Sequence, residues 1–184
     1  MATTTKKVNL YDDQGNLITN RGLDINTTWH SDQEFTYNGQ KYYRVAPNEY
    51  VKASDVYLYK NTDTSLVSIF NDGDGSLVDY LGNEARTLSP ATDWKTDRIA
   101  LINGNEYYRL STNEFIEINK VQPYMDDFEN LNTINKTNVY DEHGNELDVK
   151  LPKSRSYKTD RIVNINGANY YRVSTNAFVK ADEI

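Results

Sequence analysis

Asn38-Gly39-Gln40-Lys41-Tyr42-Tyr43-Arg44-Val45 decides how this chain is read, because the pattern returns twice. It recurs as Asn103-Gly104-Asn105-Glu106-Tyr107-Tyr108-Arg109-Leu110 and as Asn166-Gly167-Ala168-Asn169-Tyr170-Tyr171-Arg172-Val173. Each copy opens with Asn-Gly, and these two residues tolerate the positive φ that both central positions of a type I′ hairpin turn require. The run that follows is aromatic and β-branched, as a strand demands. Alternation then places Tyr43 with Val45, Tyr108 with Leu110 and Tyr171 with Val173 on one face, and the first tyrosine with the arginine on the other. The aliphatic face is expected to be the core, so Tyr43, Tyr108 and Tyr171 should be more buried than Tyr42, Tyr107 and Tyr170.

The match extends outward from this motif. Nine residues before each Asn-Gly asparagine stands an aromatic (Trp29, Trp94, Tyr157), and three residues after that aromatic comes Asp32, Asp97 or Asp160. Beyond the arginine, Asn48, Asn113 and Asn176 precede the pairs Tyr50-Val51, Phe115-Ile116 and Phe178-Val179. Upstream, each copy begins with a tyrosine and a Gly-Asn turn: Tyr11 with Gly15-Asn16, Tyr80 with Gly82-Asn83, Tyr140 with Gly144-Asn145. The motif arginines lie 65 and then 63 residues apart, a spacing that suits a small domain better than a solenoid repeat.

The expected architecture is all-β, with little helix: three tandem small β-rich modules over residues 1–60, 61–122 and 123–184. The second carries an extra N-terminal hairpin, 66–70 against 77–81, around Asn71-Asp72-Gly73-Asp74-Gly75. The third is preceded by a linker, Gln122–Lys136, with room for one helical turn. Residues 53–59 suit either a last strand of the first unit or the start of the second. Units this small bury only about 60% of their unfolded surface, so neighbours are expected to share an interface.

Composition bounds the function. There is no cysteine, hence no disulfide framework and no thiolate metal site. No apolar run could span a bilayer, and the first seven residues lack a signal-peptide core; an exported parent would make this chain a piece whose leader has been removed. The formal charge of −7 argues against nucleic acid as the main partner. That charge is uneven. Residues 1–60 are neutral, with seven basic and seven acidic side chains, whereas 61–122 carry five and ten. Between Lys136 and Lys180 basic residues outnumber acidic ones, eight to five. Fifteen tyrosines against five phenylalanines tilt the surface toward amphipathic aromatics, common where polymers or proteins bind, although tyrosine is also simply a good strand residue.

No catalytic constellation is visible. His30 and His143 stand at different places in the unit and read as surface residues. No cysteine nucleophile, Gly-x-Ser-x-Gly or phosphate-loop pattern occurs. Asn71–Gly75 alternates aspartate with glycine but lacks the EF-hand spacing and its twelfth-position glutamate, so a turn is the simpler reading. Asp32, Asp97 and Asp160 recur singly, where a glycosidase needs two opposed carboxylates; each reads as a turn residue bonding its own backbone. No cofactor or metal is expected.

Tyr170–Asp182 and its counterpart Tyr42–Asp55 resemble the C-terminal cell-wall-binding repeats of lactobacillus-type surface-layer proteins, the SLAP domain. The family's Val-Tyr-x-x-x-Gly opening is seen as Val139-Tyr140-Asp141-Glu142-His143-Gly144. Its aromatic-Lys strand, its Asn-Gly-x-x-Tyr-Tyr-Arg-Val and its closing Phe/Tyr-Val-Lys-Ala follow in order. The resemblance covers nearly all of the chain except 61–79 and 122–136. It implies small modules similar to bacterial SH3-like barrels, on exported Gram-positive surface proteins held non-covalently to the cell wall through teichoic or lipoteichoic acid. Two departures stand out: family members that anchor the main lattice are basic while this chain is acidic, and Glu117-Ile118 replaces the Lys-Ala of the other copies.

The expected function is therefore a non-enzymatic surface-layer module that attaches its parent to wall polymer, several weak sites acting through avidity. Two alternatives stay open: protein–protein contacts with other surface-layer subunits, and the targeting part of a wall hydrolase. Neither nucleic acid nor membrane insertion is expected. The candidate polymer-binding residues are Tyr42, Arg44, Tyr107, Arg109, Tyr170 and Arg172 from the motif, and the basic cluster Lys150, Lys153, Arg155, Lys158 and Arg161. Arginine forks match phosphate oxygens and tyrosine rings stack on polyol chains, yet the same arginines would equally suit cross-strand carboxylates or stacking on a neighbour.

Overall fold

A computed structural model describes the whole chain, Met1–Ile184. It is all-β, with only three single-turn 3-10 helices, η1 (Ala53–Asp55), η2 (Ile118–Lys120) and η3 (Ala181–Glu183). The first repeat contains β1 (Val8–Tyr11), β2 (Leu17–Leu23), β3 (Glu34–Tyr37), β4 (Gln40–Ala46) and β5 (Glu49–Lys52), after which come β6 (Leu58–Asn61) and β7 (Leu66–Ile69). The second contains β8 (Gly75–Val78), β9 (Glu84–Leu88), β10 (Asp93–Lys95), β11 (Arg98–Ile102), β12 (Asn105–Ser111) and β13 (Glu114–Glu117), followed by β14 (Val121–Asp126) and β15 (Asn130–Asn132). The third contains β16 (Thr137–Tyr140), β17 (Glu146–Leu151), β18 (Ser156–Lys158), β19 (Arg161–Ile165), β20 (Ala168–Ser174) and β21 (Ala177–Lys180).

One antiparallel strand order recurs: β2-β1-β5-β4-β3, then β9-β8-β13-β12-β11, then β17-β16-β21-β20-β19. Each is built around the Asn-Gly hairpin. Tyr37 faces Gln40, Ile102 faces Asn105 and Ile165 faces Ala168, leaving two-residue loops. Asn38, Asn103 and Asn166 have φ of 47°, 50° and 52°, and each following glycine is also positive, the type I′ signature.

The strand after each of the first two repeats does not stay with its own sheet. β6 pairs with β11, and β14 pairs with β19, so each sheet edge is extended by the strand arriving from the preceding repeat. Residues 53–59 thus lead into the second sheet. The expected barrels do not form: closure requires the two edge strands of a sheet to pair with each other, and β2 with β3, β6 with β9 and β10 with β17 do not, so these sheets are open. Nor is there an extra hairpin, since β7 pairs with β10 and β14 while β8 pairs with β9 and β13. Residues 122–136 are not a linker; they supply β14 and β15.

By packing, the chain forms two units whose limits cut across the repeats: Met1–Thr62 with Ser76–Thr87 and Asp97–Ile118, and Asp63–Gly75 with Leu88–Thr96 and Asn119–Ile184. The first holds the five-stranded sheet and the six-stranded sheet β6-β11-β12-β13-β8-β9; Ala2 bridges both Thr28 and Tyr57 within it. The second holds the eight-stranded sheet β10-β7-β14-β19-β20-β21-β16-β17 and the pair β15-β18.

Both faces of the sheets are covered, which overturns the expected burial of the tyrosines. In the first repeat Tyr43 and Val45 do pack on the aliphatic cluster Val8, Leu10, Leu23, Val51 and Val56. On the opposite face Tyr42 is only 4% exposed, stacked on Phe35 and edge-on to Tyr11. In the third repeat Tyr171 and Val173 flank Leu131, Val139 and Val179, while Tyr170 is buried with Tyr140, Val163 and Phe178. Tyr42 and Tyr170 are therefore more buried than Tyr43 and Tyr171. The second repeat alone follows the expectation, with Tyr108 buried and Tyr107 half-buried. A sheet packed on both sides buries both tyrosines to some degree, and the neighbours on each face decide which is deeper.

Candidate binding surface

The motif arginines are held by the recurring aspartates. Arg44 donates Nε to Asp32 Oδ1 at 2.9 Å and Nη2 to Oδ2; Arg109 makes the same fork to Asp97, with Nε at 2.8 Å, and Arg172 to Asp160, with Nε at 2.9 Å. In the first repeat the backbone places the partners, since Arg44 N–H donates to Gln33 O at 2.9 Å. The arginine of each pair thus forms a bidentate ion pair. Asp32 is held below the usual carboxylate range by the Arg44 hydrogen bond. For Asp97 and Asp160 burial pushes upward, but the hydrogen bonds from two arginines each outweigh it and the net shift is downward. These aspartates are fork partners, which corrects their reading as turn residues. Arg109 is also engaged at Nη1 by Asn26 Oδ1, 3.1 Å away.

Arg161 is likewise structural. It is 4% exposed, donates Nη1 and Nη2 to Asp93 at 2.8 and 2.6 Å, touches Asp160, and stacks 3.9 Å from the Tyr124 ring centroid. Arg98 stacks in the same way on Tyr59, at 4.4 Å. Tyr59 and Tyr124 face Ala100 and Val163 in one register. In the first repeat Gln33 occupies the arginine's place. The apolar recess lined by Pro123, Tyr124, Met125, Ile162 and Val163 includes none of the candidate cations.

Other repeated residues have tertiary explanations. Asp12, Asp79 and Asp141 each cap the opening turn, with Oδ1 accepting from the backbone of Asn16, Asn83 and Asn145. Asn48, Asn113 and Asn176 then accept from the backbone N–H of Asp13, Tyr80 and Glu142, latching that turn to the sheet. The register corrects one alignment: Val78, facing Phe115, is the counterpart of Tyr11 and Tyr140, which face Tyr50 and Phe178. His143 is more than a surface residue. Its Nε2 lies 3.1 Å from Asp72, and its ring packs 4.6 Å from Phe70. Beside it, both Glu142 oxygens accept from Asn71 at 2.6 Å, so this carboxyl group clasps a loop.

The remaining candidates, Lys150, Lys153, Arg155 and Lys158, are exposed along β17, the 152–155 turn and β18, two consecutive strands that belong to different sheets. The nearest carboxylate to Lys150 in an ion pair is Glu146, a loose 3.8 Å away. The 152–155 turn is braced by Thr133, which is 2% exposed. Its hydroxyl donates to Pro152 O at 2.7 Å and accepts from Arg155 N at 3.0 Å, and its backbone bonds Arg155 O and Ser154 N. Thr3 braces the first repeat's turn with the same hydroxyl bonds, donating to Asp24 O at 2.8 Å and accepting from Thr27 N at 2.8 Å. Asn26, Ala91 and Ser154 share the positive φ these turns need. The scaffold is common and the side chains differ. Asp24-Ile25-Asn26-Thr27 and Ser89-Pro90-Ala91-Thr92 become Pro152-Lys153-Ser154-Arg155. In the first two, the threonine hydroxyl accepts from the indole of Trp29 or Trp94; in the third, tyrosine replaces tryptophan and Arg155 is released from that duty. The register also sets Lys136, just before Thr137↔Leu151, beside the end of β17.

A search of curated protein sequences gives no match. A crystal structure from Listeria monocytogenes, described as a "putative autolysin", aligns over 100% of this chain and 99% of that one, at 13% identity and a TM-score of 0.29, too low to carry an argument. The Surface layer protein A domain matches residues 2–54 and 133–182, which are the first and third repeats and more than half of the sequence. The strand order shared by those repeats and the residues they repeat agree with that match, and the chain belongs to the Surface layer protein A domain family.

Proposed function

We propose that this chain is a non-enzymatic attachment module that holds a secreted Gram-positive surface protein to the cell wall by binding an anionic wall polymer of the teichoic type. The surface-layer family supplies the wall-associated setting. The observation that carries the polymer reading is the connection from β17 to β18, where Lys153 and Arg155 stand exposed on a braced turn and Lys150 and Lys158 on the strands either side of it, while the motif arginines are neutralised in forks. Rigid placement lowers the entropy cost of binding. Charges beyond a Debye length of about 8 Å are largely screened at physiological salt, so a local cationic patch can act on an acidic protein.

The test uses the repeats as controls for one another. Converting the third turn toward the second, Lys153→Pro with Arg155→Thr, preserves a turn this scaffold already makes. Sedimentation with purified walls, before and after removal of teichoic polymer, should show wild-type binding that depends on the polymer and weakens with salt, and a several-fold loss in the variant. Full binding by the folded variant, or binding indifferent to polymer removal, would refute the proposal and favour protein–protein contacts.

A further inference from the structure

Two ionisable side chains that carry full charges, Arg161 and Glu142, are buried in this protein, and their surroundings differ. Arg161 is paired with Asp93 and Asp160. Glu142, 6% exposed, forms no ion pair with a lysine or arginine; its carboxylate accepts from two neutral donors, the N–H and Nδ2 of Asn71, at 2.6 Å each. Buried charges are paired with an opposite charge or coordinate a metal, so these two bonds leave the charge of Glu142 unbalanced.

Two potential metal ligands stand beside it. Asp72, Glu142 and His143 each present one donor atom within 4.8 Å of the other two, and all three belong to the second packing unit. A first-row divalent ion about 2.1 Å from each donor would hold such atoms about 3–3.5 Å apart. His143 Nε2 and Asp72 Oδ1 are already 3.1 Å apart, and both residues are exposed, with room to close on the third. Glu142 is the fixed member. Its N–H donates to Asn176 Oδ1 and its C=O accepts from Gln122 Nε2, both at 3.0 Å. The bonds from Asn71 leave each carboxylate oxygen a lone pair and orient it, as outer-shell partners do in metal sites. The Phe70 ring, 4.6 Å away, sets the imidazole in place. The arrangement is confined to the third repeat: the pairs at the equivalent latch are Asp13-Gln14 and Tyr80-Leu81, without a histidine.

We propose that Asp72, Glu142 and His143 bind one divalent transition-metal ion of the zinc type, which staples the 70–75 loop to the 141–145 turn. An imidazole nitrogen with two carboxylates suits zinc, and the two carboxylates match its charge. Calcium and magnesium prefer shells made of oxygen alone. Asp72 thus acts through partners brought to it by the fold, and the lack of EF-hand spacing in Asn71–Gly75 does not bear on this site. The site is independent of whatever the cationic turn binds.

The experiment titrates zinc into the chelator-treated full chain at pH 7 by calorimetry. One ion per chain should bind and raise the melting temperature of the second unit, and calcium or magnesium at equal concentration should not displace it. His143→Ala and Asp72→Asn should each weaken binding roughly tenfold or more; both positions are exposed, so the variants should fold. His30→Ala, in the other unit, should leave the affinity unchanged. In the rival arrangement a proton on His143 balances the carboxylates and no metal binds. Absence of zinc binding by the wild-type chain would favour that arrangement and overturn the proposal. Full affinity in His143→Ala, lost affinity in His30→Ala, or displacement by calcium would overturn it equally.

Discussion

Replacing Arg161 by methionine separates a structural role from a ligand-binding one, because the two roles predict opposite readouts. Methionine keeps the apolar stem and removes the charge. Truncating one partner of a buried ion pair costs about 3–5 kcal/mol, but Asp93 retains 40% side-chain exposure, which reduces this to roughly 2 kcal/mol by solvation of the abandoned carboxylate. The stack on Tyr124 adds about 1 kcal/mol. The expected loss is about 3 kcal/mol, more than a hundredfold in the folding equilibrium and a fall of roughly 12 °C or more in melting temperature for a unit of this size. Trp29 and Trp94 belong to different units, so urea denaturation followed by fluorescence in a Trp29→Phe background reports on the second unit alone. Asp93→Asn in a double-mutant cycle should show coupling of at least about 1 kcal/mol. A loss below about 1 kcal/mol, or undiminished stability with a large fall in wall binding, would refute the structural assignment.

Acid response should divide into two ranges. The fork aspartates Asp32, Asp97 and Asp160 have depressed folded-state pKa values, so their stabilisation is fully present above the unfolded carboxylate range near pH 4 and is lost as pH falls through the lower folded value. Thermal melts should therefore stay level from pH 7 to about 5 and decline below about 4, with Asp160→Asn flattening the decline; a steep loss between pH 7 and 5 would contradict this. Wall binding should strengthen from pH 7 toward 4.5, because exposed carboxylates begin to protonate while lysine and arginine remain charged, and pH-independent binding would argue against the polymer reading. Asn176→Ala should cost about 1 kcal/mol in denaturant unfolding by leaving the Glu142 N–H without its acceptor. Gly104→Ala meets no atom within 4 Å, so any destabilisation, expected at about 1 kcal/mol, reports the positive φ alone.

The sequence by itself determined the local geometry. Asn-Gly required a type I′ turn, alternation assigned Tyr43 with Val45 and Tyr42 with Arg44 to opposite faces, and the spacing of the copies revealed one folding pattern used three times. These are effects of neighbours along the chain, set by backbone sterics and the two-residue period of a strand. What the sequence could not decide was how much each face is covered, and by what. Tyr42 is buried because Phe35 and Tyr11 meet it from other strands. Asp32 and Arg44 show themselves as partners only when Gln33 is bonded back to the strand. Residues 122–136 look like a linker because their alternation is short and polar, yet β14 and β15 gain their hydrogen bonds from strands elsewhere in the chain. The tertiary structure also separated cations that composition had grouped: Arg161 and Arg172 are neutralised by aspartates, whereas Lys153 and Arg155 project from a turn whose counterparts carry Ile25 and Thr27, or Pro90 and Thr92. Charge counted along a chain ignores pairing, and only the folded arrangement fixes which charges remain free to meet a ligand.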